Sequence, residues 1–179
     1  MFFREKTVLV IIDVQEKLTA VMPNKASLVE NIRKLIKGMR LLGVPLLWVE
    51  QNPDGLGPTV REIASELTDT EPIRKISFSC CANKPFARTL KEQNRQQVLL
   101  AGIEAHVCVY QTARDLLGRG YEVQAVSDAV ASRTESNRRV GLRQIREQGG
   151  RVTSTETVLF ELLRVGDGDE YRQIREALQ

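Results

Sequence analysis

Thr7-Val8-Leu9-Val10-Ile11-Ile12-Asp13 sets five consecutive apolar residues, most of them β-branched, between a threonine and a carboxylate. No polar residue alternates with the apolar ones, so a strand here has both faces covered, as at the centre of a parallel sheet. The run is too short to cross a bilayer, and no cleavage-site pattern follows it. It reads as a buried strand and not as a leader or a membrane anchor.

Working outward, Leu28, Val29, Ile32, Leu35, Ile36, Met39 and Leu42 share one face at the helical period, with Ser27 as a candidate cap and Gly43 as a stop. A second strand is expected over Val44 to Val49. The stretch from Glu50 to Pro58, which holds two prolines and two glycines, reads as a loop. A short helix over Val60 to Leu67 and an irregular stretch containing Arg74 to Phe78 come next. Pro85 to Gln93 reads as a helix with its proline in the first turn. Gln97 to Gly102 is a third strand. Cys108 to Leu117 is a helix whose inner face carries Val109, Ala113, Leu116 and Leu117. Tyr121 to Val126 is a fourth strand, and Ser132-Arg133-Thr134-Glu135 has the capping-box pattern of a helix ending at Gly149-Gly150. A fifth strand near Arg151 to Thr153, a helix over Glu156 to Leu163 and a last helix around Tyr171 to Leu178 complete the chain. Strands alternating with helices predict an α/β fold, a mostly parallel central sheet between two helical layers. The length of 179 residues suits one domain spanning 1–179.

Apolar residues make up 42% and charged residues 27%, the mixture of a folded protein and not of a disordered one. The net charge is +3, with basic and acidic residues interspersed, so neither nucleic acid nor a membrane is an expected partner. Arg138, Arg139, Arg143 and Arg146 recur at helical spacings and read as a solvated face. Three cysteines, Cys80, Cys81 and Cys108, are an odd number that favours reduced thiols and a cytoplasmic setting. The adjacent pair Cys80-Cys81 reads as buried packing.

Ligand sites in such sheets form at the carboxyl ends of the strands, and three residues that carry chemistry fall there. Asp13 ends the first strand, where partial desolvation suits it to act as a base, though a loop cap would use the same position. Cys108 follows the third strand near the start of a helix. The unpaired amides there favour a thiolate, although free cysteines also serve as small buried apolar residues. Lys75, between Ile73 and Ile76, either reaches solvent along its stem or stands beside the other two and stabilises their charges.

The segments Ile11-Ile12-Asp13-Val14-Gln15, Arg74-Lys75-Ile76-Ser77-Phe78-Ser79, Gly102-Ile103-Glu104-Ala105-His106-Val107-Cys108-Val109 and Ser127-Asp128-Ala129 occur in that order. As an ordered set from about Thr7 to about Leu163 they resemble the isochorismatase-like cysteine hydrolases, the superfamily that includes nicotinamidases and N-carbamoyl amidases. The loop Glu50-Gln51-Asn52-Pro53-Asp54-Gly55-Leu56-Gly57 is similar to that of the branch described as isochorismatase domain-containing proteins. The resemblance implies a catalytic triad of Asp13, Lys75 and Cys108, acting on a small molecule without a cofactor. It implies an oxyanion hole from the backbone amides of Glu104 and Cys108, with a cis peptide between Ile103 and Glu104. It also implies a homo-oligomer, a dimer or tetramer. Gln51, Leu56, Phe78 and Tyr110 are candidates to line the substrate pocket, and Trp48 is either pocket or core.

Nicotinamidases of this superfamily bind a metal through an aspartate and histidines, whereas His106 is the one histidine here, so no catalytic metal is expected. His106 then reads as structural or pocket-lining. Asp128 and Arg133 match positions at the edge of the site, where they are expected to hold a loop by an ion pair. The implied reaction is cleavage of a C–N bond in a small amide, ureide or carbamoyl compound through a thioester. The alternatives are hydrolysis of a vinyl ether, disfavoured because true isochorismatases carry another residue in place of the nucleophile, and a binding protein that keeps the fold without turnover.

Overall fold

In the computed structural model, which describes residues 1–179, the apolar run at the N-terminus forms strand β1 (Thr7–Ile12) with every residue buried. It lies inside a six-stranded sheet with β2 (Leu46–Gln51), β3 (Ile73–Lys75), β4 (Gln97–Ile103), β5 (Glu122–Ala131) and β6 (Arg151–Thr153). The order is β3-β2-β1-β4-β5-β6, and every pairing is parallel. Alternate β1 residues feed two separate cores. Leu9 and Ile11 pack with Ile32, Leu35 and Met39 of helix α2 (Lys25–Leu41). Val8, Val10 and Ile12 pack on the other face with Phe86 of α5 (Lys84–Glu92). This is why the run shows no polar alternation, since neither face meets water.

Helices α8 (Thr155–Leu163) and α9 (Gly168–Ala177) join α2 on the first face, while α6 (Tyr110–Gly118) and α7 (Glu135–Glu147) join α5 on the second. The short helices α1 (Glu16–Ala20), α3 (Pro53–Leu56) and α4 (Arg61–Ala64) decorate the loops. No helix is long and apolar enough to cross a membrane.

The structure departs from the sequence reading at several places. Ile73 to Lys75 is an edge strand, registered Val49↔Ile73 and Gln51↔Lys75, where an irregular stretch is expected. Three residues are too few to show a period of two. The loop after β2 contains α3, opened by Pro53. Ser27 does not cap α2: Asn24 occupies the cap in a left-handed conformation, and the Ser27 hydroxyl donates to the Asn24 carbonyl. Thr134, not Ser132, caps α7 by accepting from the Asn137 amide. The turn holding Cys108 is a π-helical turn, Ala105–Val109, leading into α6. Arg138 is not wholly solvated, because its guanidinium donates to the Ser127 and Val130 carbonyls as well as to Glu135.

Two glycines permit the close approaches that shape the region around Cys108. Gly102 has φ +120°, and a Cβ there would lie 2.0 Å from the Ile12 carbonyl oxygen. A Cβ on Gly141 would lie 2.4 Å from the Ala105 carbonyl oxygen, so α7 seats directly on the backbone of the π-helical turn.

Candidate active site

The strand order reverses its direction of growth between β1 and β4, and the crevice outside the carboxyl ends of those strands is where open α/β sheets bind ligands. Four neighbouring strands each deliver a residue there. Lys75 closes β3, Gln51 closes β2, Asp13 follows β1, and Glu104 follows β4 and leads into the turn holding Cys108. The chain bends sharply at Asp13, whose φ of +53° lies in the left-handed region that aspartate tolerates better than most residues.

Asp13 and Lys75 form an ion pair at 2.7 Å, with both side chains completely shielded from solvent. The ammonium uses all three of its donors, toward Asp13 Oδ2, Gln51 Oε1 at 3.1 Å and the Ser77 carbonyl at 3.2 Å. A buried cation satisfied in this way is held in one geometry. The other carboxylate oxygen, Asp13 Oδ1, is buried and has no hydrogen-bond partner. Burial pushes Asp13 above the ordinary carboxylate value of 3.8, with Lys75 pulling the other way.

Cys108 is 6% exposed, and its thiol donates to Gln51 Oε1 at 3.1 Å. Burial, and next the Asp13 carboxylate, push its proton affinity up. Burial first, and the neighbouring carboxylate second, thus oppose the thiolate expected from its place near a helix start. Cys80 and Cys81 are buried and free, with thiols pushed up to about 12 and about 11 by burial. The Cys80 amide donates to Thr112 Oγ1 and the Cys81 amide to Ser79 Oγ, as befits packing residues.

A cavity of about 90 Å³ opens onto the sulfur, lined by Leu18, Gln51, Leu56, Phe78, Glu104, Val107 and Cys108. Of the four residues proposed from the sequence for the substrate pocket, Gln51, Leu56 and Phe78 line this cavity. Tyr110 is not part of the lining: it opens α6, half-buried, and packs against the core on that face of the sheet. Trp48 is core, with its indole donating to Thr70 Oγ1. Leu18 and Val107 line the cavity without having been singled out, since nothing distinguishes them from other apolar residues before the loops are placed.

Supporting contacts fix this geometry. The Ile103–Glu104 peptide is cis. The Glu104 carbonyl accepts the Val107 and Val109 amides, and its carboxylate accepts the Arg133 amide at 3.1 Å and the Arg133 Nε at 3.0 Å. Arg133 thereby ties the end of β5 to the turn beneath Cys108. His106 Nδ1 lies 3.0 Å from Ser132 Oγ, away from the cavity lining. Asp128 accepts the amide and hydroxyl of Thr155, a loop-holding contact without an ion pair. Gln15, fully buried, grips the Gln51 backbone from both sides, accepting from its amide at 2.8 Å and donating to its carbonyl at 3.0 Å. No three His, Cys, Asp or Glu side chains converge as a metal-binding group.

A carboxylate, an ammonium and a thiol thus gather at the switch point of a doubly wound sheet, the architecture of an α/β protein. The Isochorismatase domain family matches residues 7–157. Isochorismatase domain-containing protein 2 of Danio rerio is 37% identical over 172 residues, covering 96% of this chain and 86% of the relative. Among solved structures, the MAR1 ribonuclease of Caenorhabditis elegans is 35% identical, with a TM-score of 0.92 over 99% of this chain and 91% of that one. The YcaC gene product of Escherichia coli, described as an octameric hydrolase of unknown specificity, has the same fold at 20% identity, with a TM-score of 0.93 over 99% and 88% of the two chains. This chain belongs to the isochorismatase-like hydrolase family.

Proposed function

We propose that the protein is a cysteine hydrolase that cleaves the C–N bond of a small amide, ureide or carbamoyl compound through a thioester on Cys108. The observation that carries this reading is Asp13 Oδ1, a buried carboxylate oxygen without a partner, beside a thiol that opens onto a cavity. An unpaired buried acceptor costs free energy, and a role in receiving a proton accounts for it.

In this mechanism the Cys108 proton passes to Asp13 Oδ1 as the sulfur attacks the carbonyl carbon, so no free thiolate need persist. The oxyanion is held by the amides of Glu104 and Cys108, both residues of the cavity wall; one such donor is typically worth about 10²- to 10³-fold in rate. Collapse breaks the C–N bond, and the leaving amine takes the proton from Asp13. Water, losing a proton to Asp13, then attacks the thioester, releasing the acid and restoring the thiol. Lys75 keeps Asp13 ionised and stabilises negative charge on sulfur.

The cavity is small, about 90 Å³, and its wall is mostly apolar, formed by Leu18, Leu56, Phe78 and Val107 around the sulfur. That suits the reacting end of a small substrate better than a nucleotide. Ammonia release from a panel of primary amides, ureides and carbamoyl compounds tests the reaction class. Turnover of at least one compound, abolished with Cys108, is expected. Hydrolysis of RNA or of a vinyl ether instead, or binding without turnover, would overturn the reading.

Asp13→Asn should lower kcat/KM by at least about 10²-fold, the usual weight of a lost general base. The pH profile carries the same information. Asp13 must be ionised to accept the proton, and burial raises its proton affinity, so activity should fall on acidification with a midpoint above 3.8. A profile flat down to that value would remove Asp13 from the role.

A homo-oligomer, a dimer or tetramer, belongs to the same proposal. Ile76 and Phe78, 76% and 53% exposed, follow Lys75 and offer apolar surface that self-association would cover. Sedimentation at micromolar concentration should show a species larger than the monomer, and a monomer would contradict it.

A further inference from the structure

We infer that Gln51 is a positioning residue whose side-chain carbonyl holds the resting Cys108 thiol proton, keeping Asp13 Oδ1 bare until a substrate enters and turns the sulfur toward it. The inference rests on the proposed roles of Cys108 and Asp13. Gln51 Oε1 accepts from Cys108 Sγ and from Lys75 Nζ, each at 3.1 Å, so one oxygen binds both the nucleophile and the cation. With two donors aimed at it, that atom is the carbonyl oxygen of the amide and not its nitrogen. The thiol thus has two acceptors in its neighbourhood: its donor geometry fits the neutral one, while the Asp13 carboxylate, close enough to act on the sulfur, is out of line for a hydrogen bond.

Gln51 is also built not to move. The fully buried Gln15 grips its amide and carbonyl and donates onward to the Gly57 carbonyl at 2.7 Å, joining the end of β2 to the loop that walls the cavity. An ordinary wall residue needs no such double clamp. The titratable groups acting on the sulfur are Asp13, Lys75 and Cys80, with Glu50 acting in turn on Asp13. Gln51 is the neutral acceptor in direct contact with both the sulfur and the ammonium. It can hold the proton without adding charge, whereas a carboxylate there would compete for Lys75. The consequence is a nucleophile guarded while the site is empty and released by occupancy.

The test is the rate of Cys108 alkylation by iodoacetamide across pH, with the modified residue mapped, in four proteins: wild type, Gln51→Met, Asp13→Asn and the double variant. Gln51→Met keeps length and apolar bulk while removing the acceptor. It should speed alkylation about three- to tenfold at neutral pH, the weight of one net hydrogen bond. The gain should vanish in the Asp13→Asn background, where no carboxylate is left to take the proton. A gain that persists there would mean easier access to the sulfur, and an unchanged or slower rate would mean no guarding contact; either overturns the inference. Should Gln51→Met fold poorly, Gln51→Ala replaces it: because truncation also opens access, the gain should then be larger with Asp13 present than in the Asp13→Asn background, and equal gains in the two would overturn the inference. If Asp13→Asn alone leaves alkylation unchanged, the proposed pairing of Asp13 with Cys108 fails and this inference with it. If Asp13 matters and Gln51 does not, only the inference falls.

Discussion

Cys108→Ala should abolish hydrolysis of whichever panel compound the wild type turns over, lowering kcat by at least about 10⁴-fold, since loss of a nucleophile leaves only binding and oxyanion stabilisation. Removing one sulfur does little else. The side chain is small, and the Asp13–Lys75 pair keeps its direct contact at 2.7 Å without it. The melting temperature should therefore move little while turnover disappears. Cys80→Ala and Cys81→Ala are the internal controls, because their thiols are enclosed in the apolar core and push up to about 12 and about 11. Either should lose some packing stability and keep activity. Near-normal turnover by Cys108→Ala would remove the thioester from the mechanism.

Gly102→Ala should be the most damaging single-methyl change to folding, costing about 3 kcal/mol or more, which is reached only through a few mechanisms such as strain and overpacking. Both act here. The residue has φ +120°, where L side chains are strained, and its Cβ would stand 2.0 Å from the Ile12 carbonyl oxygen and 2.7 Å from the Ile12 amide nitrogen, backbone atoms of the central strand. Neither can yield without opening the β1–β4 pair, where Ile12 is registered against Gly102. Denaturant unfolding should show a lower midpoint with an unchanged slope. The site should suffer with the fold, because Asp13 and Glu104 follow directly on these two strands. A midpoint within error of the wild type would show that the strands can separate there at little cost.

The sequence was most legible where a single physical signal was strong. The unbroken apolar run of β1 requires two covered faces, and two cores are found on either side of it. Asp13, Lys75 and Cys108 stood out together through the ordered motifs around them, and the fold brings the pair Asp13 and Lys75 into contact with Cys108 beside it. Less legible were features decided by only a few residues. Strand β3 spans three residues and shows no period, while its pairing to β2 is what carries Lys75 to the site. Ser27 and Ser132 had the chemistry of caps, but the caps fell to Asn24 and Thr134, since where a helix starts depends on the loop before it.

Gln15 and Gln51 show a different limit. A glutamine is mostly exposed on average, so neither residue type announces a buried network. Gln15 lies next but one to Asp13, yet the three hydrogen bonds of its side chain reach residues 36 and 42 positions away. Tyr110 sits two residues after Cys108 and packs away from the cavity because the π-helical turn gives way there to α6. Side-chain direction in such a turn follows from backbone geometry that spacing alone does not fix.

A reactive sulfur served by a buried carboxylate should accept an acyl group from p-nitrophenyl acetate, which needs no knowledge of the natural substrate. Intact-mass measurement followed by peptide mapping should find one acetyl group on Cys108, forming more slowly in Asp13→Asn and disappearing with time as the thioester hydrolyses. Acetyl groups only on Cys80, Cys81 or surface lysines, or p-nitrophenol release at the wild-type rate from Cys108→Ala, would contradict it.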